Sequence, residues 1–232
     1  MSAQWYCARS VDTIAPAPGS GSPPYAVVTA GVPLDQAAVV IIALHGRDQV
    51  PTYLVENLVL PLGNNVAVAW LLPHAREQSW YPDRADTNSP ANDAAIAGAI
   101  ERLRTLRERV SATTAPVMML GFSQGACLAC AFAAHHPDLI DALVALTGGL
   151  TGADPDCFHV TPFPGPTPAY FATGDQDPWI DVARVKATAA AFAAAGATTA
   201  VHIAADDGDH HIRTSEVALV ADLVKQLAEA HT

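Results

Sequence analysis

The stretch Gly121-Phe122-Ser123-Gln124-Gly125 constrains this chain more than any other. A short apolar run, Pro116 to Leu120, leads into it, and small helix-tolerant residues, Ala126 to Ala134, follow. Strand, glycine-flanked serine, helix is the sequence form of a very tight turn. A Cβ at either glycine would clash in such a turn, and the serine between them must accept a strained backbone. That geometry lifts the Ser123 hydroxyl above the carboxyl end of a sheet as a candidate nucleophile. It also leaves the backbone N–H of Gln124 at a helix start, without an intrahelical acceptor and facing any negative charge that develops nearby. The competing reading is a serine in an ordinary strand-to-helix turn, and the rest of the chain has to decide between them.

Around this turn, apolar runs alternate with helical patterns. Residues 38–44, 66–72, 117–120, 143–146, 169–172 and 199–203 read as strands. Several are continuously apolar, as strands buried on both faces of a parallel sheet are. Residues 25–30 alternate weakly and read as an edge strand. Helices are expected at 52–62 behind Pro51, at 92–110, from the Ser123 turn to His135 or His136, at 182–195 before Gly196, and at 215–229. Strands alternating with helices predict an α/β fold, a mostly parallel central sheet with helices on both faces. Without a repeat or a linker, residues 1–232 read as a single domain. Residues 1–24, rich in Pro and Gly, read as an irregular lead-in that Trp5 and Tyr6 could anchor, and 151–166 as a surface excursion.

Composition narrows the classes of function. Half of the residues are hydrophobic and 15% are charged, which suits a compact core. A net charge of −11 argues against nucleic acid and anionic membrane surfaces as partners. No apolar run reaches the length of a membrane span, and the amino-terminus lacks the pattern of a secretory signal. Cys127 and Cys130 form a C-x-x-C, but they fall within the expected helix with no second ligand pair at zinc spacing, and read as small buried residues. A reduced, cytoplasmic protein is the expectation.

In a parallel sheet, functional side chains collect on loops beyond the carboxyl ends of the strands. After Ser123 come an acidic loop, Asp175/Asp177, and a histidine loop, His210/His211, each following a strand. A serine hydroxyl needs a histidine to take its proton and return it to the leaving group. The histidine needs a carboxylate to fix its tautomer and stabilise its charged form. Ser, Asp, His in that order is the chain order of α/β-hydrolases. On the residues alone, both members of each doublet remain candidates.

Taken together, Leu44-His45-Gly46-Arg47, Ser79-Trp80-Tyr81, Gly121 to Ala126, Gly174-Asp175-Gln176-Asp177-Pro178 and His210-His211-Ile212 resemble the phospholipase/carboxylesterase family of α/β-hydrolases, from about Val39 to the carboxyl terminus. The family includes acyl-protein thioesterases and bacterial carboxylesterases. The resemblance implies an α/β-hydrolase core with little or no cap, and cleavage of carboxylic esters or thioesters through an acyl-enzyme, without cofactor or metal. The family's Asp-x-Asp-Pro pattern favours Asp177 over Asp175, and its His-x-hydrophobic pattern favours His210 over His211. The backbone N–H of Arg47 then joins that of Gln124 as an oxyanion donor. The loop of Trp80 and Tyr81 then walls the acyl side of the pocket, the other reading being that the two rings simply cover the core under a long loop, and Trp179 borders the same cleft. The family often has a glycine soon after the His-Gly pair, whereas this chain reads Arg47-Asp48-Gln49. The Arg47 side chain reads either as a contact for an acidic substrate group or as a plain surface residue, and His45 as structural.

The expected partner is a small-molecule ester or thioester, on a monomer or homodimer. Two rival readings stand beside it: a hydrolase fold that binds a ligand without turnover, and a lysophospholipase or lactonase with the same triad. Dienelactone-type hydrolases usually carry a cysteine at the elbow, and Ser123 argues against that branch.

Overall fold

The computed structural model describes residues 10–14, 25–63, 65–205 and 208–231. Trp5 and Tyr6 lie outside the described residues. The strands are β1 (Ser10–Ile14), β2 (Tyr25–Gly31), β3 (Val39–Leu44), β4 (Val68–Pro73), β5 (Val117–Phe122), β6 (Ala142–Leu146), β7 (Pro168–Gly174) and β8 (Thr198–Ala204). The helices are α1 (Pro51–Leu54), α2 (Leu60–Leu62), α3 (Pro90–Arg109), α4 (Gln124–His135), α5 (Val182–Ala194) and α6 (Thr214–Ala230). A π-helical segment, Val55–Val59, joins α1 to α2.

The strands form one eight-stranded sheet in the order β1-β2-β4-β3-β5-β6-β7-β8. β2 pairs antiparallel with β1 and with β4, and every pairing from β4 to β8 is parallel. The sheet is open and mostly parallel, as the alternation of strand and helix predicts. At its amino-terminal end it departs from the sequence reading. Ser10–Ile14, inside the segment read as irregular, is a strand, with Ser10 opposite Thr29 and Ile14 opposite Tyr25. β2 therefore lies inside the sheet and β1 takes the edge. The β-prone run Ser-Val-Asp-Thr-Ile is too short to stand out beside the prolines and glycines that follow it.

β3, β4, β5 and β6 are buried at every position, which is why their sequences show no alternation. Side chains still alternate between the two faces. Val40, Ile42 and Leu44 of β3 join the apolar layer under α3, α4 and α5, while Val39, Ile41 and Ala43 join the layer under α1 and α6. α4 is buried from Gln124 to Ala134. Its alanines and cysteines let it lie close to both the sheet and α3, where a larger residue would hold it away. The carboxyl ends of β3, β5, β7 and β8 face the same way and carry the loops described next. No helix among the described residues is long and apolar enough to cross a membrane.

Candidate active site

Ser123 sits between β5 and α4 with φ 54° and ψ −122°. A non-glycine residue in this conformation costs about 1–3 kcal/mol and needs surrounding structure to impose it. The Ser123 N–H donates to Leu146 O at 2.9 Å, and Ser123 O accepts from Cys127 N at 3.0 Å. The flanking glycines admit the turn. A Cβ on Gly121 would stand 2.2 Å from Gly125 O, and one on Gly125 would stand 2.1 Å from Leu44 O. Only bare backbone fits at either place.

The structure brings Asp177 and His210 to this serine. His210 Nε2 lies 2.8 Å from Ser123 Oγ, and its Nδ1 lies 2.7 Å from Asp177 Oδ2. Asp177 Oδ1 accepts the backbone N–H groups of Trp179 and Ile180, each at 2.9 Å. Burial raises the Asp177 pKa. The bonds from His210, Trp179 and Ile180 outweigh it and hold the carboxyl below its ordinary value. An ionised Asp177 accepts only, so Nδ1 of His210 is the donor and Nε2 is left to accept from the serine hydroxyl. The imidazole packs against Phe122, ring centroids 5.1 Å apart.

The other member of each doublet lies elsewhere. His211 is exposed, and its Nδ1 is 3.9 Å from Asp209 Oδ2. Asp175 is exposed at the cavity rim, with its backbone N–H donating to Ala204 O. The histidine loop is anchored by a buried pair that sequence reasoning missed. Arg213 N donates to Glu216 Oε2 at 2.8 Å, and the Arg213 guanidinium donates to Asp209 O at 3.1 Å. An Arg three residues before a Glu at a helix start was the available signal.

The loop after β3 passes beside the serine, and a Cβ on Gly46 would stand 3.2 Å from Ser123 Cβ. The backbone N–H groups of Arg47 and Gln124 have no acceptor among the described residues. In this loop Asp48 adopts φ 57° and donates its N–H to Gln78 O at 2.9 Å. Aspartate tolerates this left-handed conformation better than most side chains. His45 is fully buried and uses both ring nitrogens on backbone: Nδ1 donates to Gly46 O at 2.7 Å, and Nε2 accepts from Ala75 N at 3.0 Å. Burial lowers its pKa to about 4, so the ring is neutral.

The Arg47 side chain is partly buried at the edge of the cavity over Ser123. It donates to the carbonyl oxygens of Tyr81, Pro82 and Asp83. Trp80, expected in the substrate pocket, is 5% exposed and does not line it. Its indole N–H donates to His45 O at 2.8 Å, which turns the ring into the core. Tyr81 and Trp179 do line a cavity of about 840 Å³ that opens over Ser123 and His210. Tyr81 is buried in its wall and Trp179 is 60% exposed at its mouth. Cys127, one helical turn beyond Ser123, also lines it, and burial keeps its thiol protonated by raising its pKa. Ile180, just before α5, and Val182 and Arg184 in its first turn complete one side. Their signal in the sequence was only their position just after the acidic loop. Arg184 donates to Leu150 O and Gly152 O, tying α5 to the residues after β6.

An open, mostly parallel sheet carrying a strained serine between a strand and a buried helix is the architecture of the α/β-hydrolases. Residues 37–218 match the model of the dienelactone hydrolase family, and the chain belongs to that family. No curated protein matches it at a significant level. Among solved structures, the chain is similar to a phospholipase/carboxylesterase from Dyadobacter fermentans, with 26% identity over 86% of this chain and 95% of that one and a TM-score of 0.74. A carboxylesterase from Mesorhizobium loti has 16% identity over 87% and 94% of the two chains, at a TM-score of 0.68. SOBER1 from Arabidopsis thaliana has 18% identity over 82% and 98%, at 0.67. These last two show the same fold. The protein is a hydrolase. Family membership overturns the exclusion of a dienelactone relationship drawn from the elbow residue: this chain is a member that carries serine there.

Proposed function

We propose that the protein hydrolyses carboxylic esters, thioesters among them, through an acyl-enzyme on Ser123. The observation that carries this reading is the unbroken hydrogen-bond chain from Asp177 through His210 to Ser123, ending in a cavity. Ser123 Oγ attacks the substrate carbonyl while His210 Nε2 takes its proton. The imidazolium is stabilised by Asp177, whose second oxygen is fixed by two backbone N–H groups. The oxyanion of the tetrahedral intermediate accepts from the N–H groups of Arg47 and Gln124. His210 returns the proton to the leaving alcohol or thiol. It then deprotonates the water that attacks the acyl-serine, and gives that proton to Ser123 Oγ as the bond to the acyl group breaks and the acid leaves. Family membership keeps cyclic esters within the same chemistry, since opening a lactone forms the same acyl-serine.

The experiment is steady-state turnover of short p-nitrophenyl esters, a thioester and a lactone by the parent and by Ser123→Ala. We expect ester turnover by the parent and its loss by at least about 10³-fold in the variant. Retained turnover in Ser123→Ala removes the serine from the mechanism. A parent that binds esters without cleaving them points to the non-catalytic reading.

A further inference from the structure

We propose that the side chains of Arg47 and Gln124 are positioning groups that clamp the oxyanion hole through residues 79–83. The proposal rests on the reading of their backbone N–H groups as the oxyanion donors. Both side chains reach the same loop. The Gln124 amide oxygen accepts from Trp80 N at 2.9 Å, and its Nε2 donates to Tyr81 O at 2.7 Å and to Ser79 Oγ at 3.1 Å. The Arg47 guanidinium donates to Tyr81 O at 3.0 Å and, through its remaining contacts, to Pro82 O and Asp83 O, each at 2.6 Å. One oxygen, Tyr81 O, therefore takes a bond from each oxyanion residue and a third from Ser79 Oγ at 2.8 Å.

The loop is itself held at both ends. Trp80 Nε1 donates to His45 O, the peptide that precedes Gly46, and Asp83 N donates to Asn92 Oδ1 of α3 at 2.8 Å. The donor on the β3 loop and the donor at the α4 start are thus joined by side chains as well as through the fold. Two N–H groups on separate elements stabilise an oxyanion only if their separation is fixed, because misplacing one loses its contribution to the transition state. Arginine suits this position because its planar fork spans three carbonyl oxygens, which the point charge of lysine does not.

The test compares the parent with Arg47→Met and Arg47→Lys, using a short p-nitrophenyl ester and an arylboronic acid. The boronic acid adds to the serine hydroxyl, and one oxygen of its tetrahedral anion occupies the oxyanion hole. We expect kcat to fall roughly 10–100-fold in Arg47→Met with KM within about twofold, and boronate affinity to fall by a similar factor. Arg47→Lys should recover only part of each. The acid limb of the pH–rate profile should stay where it is in the parent, since His210 and Asp177 are untouched. Arg47→Met and Arg47→Lys that both keep parental kcat and boronate affinity overturn the proposal. So does a loss confined to KM or to folding, with full kcat in the folded Arg47→Lys fraction. Failure of the underlying reading looks different: Ser123→Ala would then retain turnover, and the boronic acid would not bind the parent.

Discussion

Asp177 uses both of its carboxylate oxygens, one on His210 and the other on the N–H groups of Trp179 and Ile180. Those bonds keep it ionised through the range in which a histidine titrates, so His210 always meets a charged partner. Asp177→Asn keeps the shape but can turn an N–H towards His210 Nδ1, which favours the tautomer unable to accept from Ser123. We expect kcat for a p-nitrophenyl ester to fall about 10³–10⁴-fold with a small change in KM, measured by steady-state kinetics. A fall of less than about tenfold would remove Asp177 from that role. The sequence narrowed this choice without making it. Asp175 and Asp177 are alike as residues, and a family pattern favoured the second. What separates them physically is the turn at 177–180, whose backbone N–H groups converge on one carboxylate. His210 and His211 differ in the same way, by the direction the loop gives each ring.

At the scale of elements, most strands were legible as continuous apolar runs, as strands buried on both faces are, and the helices by the periodic spacing of their apolar residues. The loops after β3 and β4 left no such trace. They are held by backbone groups, and every residue offers a carbonyl, so the convergence of Arg47 and Gln124 on residues 79–83 has no sequence signature. Between pocket wall and core cover, the sequence does not choose for Trp80: its apolar ring is visible there, but its bond to His45 O, which places it in the core, is not. His45 is the buried joint of this assembly and titrates accordingly. The unfolded chain takes up a proton on His45 near its ordinary value of 6.5, while in the folded protein burial postpones this to about 4. The stabilisation from the neutral ring is therefore complete above pH 6.5 and lost progressively as pH falls towards 4, amounting to about 3 kcal/mol in all. We expect His45→Gln to be less stable than the parent at pH 7 and to lose less stability between pH 7 and pH 4.5, by roughly 2 kcal/mol, in urea unfolding. An equal pH dependence in the two proteins would place the acid sensitivity elsewhere.

Across the whole molecule, residues far apart in the chain meet at one end of the sheet. Ser123 and His210 lie 87 positions apart and touch because β5 and β8 run parallel with their carboxyl ends on the same side. Chain order and the parallel character of the sheet could be read in advance, and so the meeting of serine, acid and base could be expected. The cavity could not, because its walls come from the 81–86 segment, the start of α5 and α4 together, and its volume depends on how they pack. All of these elements surround Ser123, the group on which the proposed chemistry depends. Its most direct test is treatment of the folded protein with an alkyl fluorophosphonate, followed by intact-mass and peptide mapping. The account predicts one adduct per chain, on the peptide containing Ser123, formed in parallel with loss of esterase activity and absent in Ser123→Ala. Full esterase activity with no adduct, or inactivation with the adduct on another residue, would contradict it.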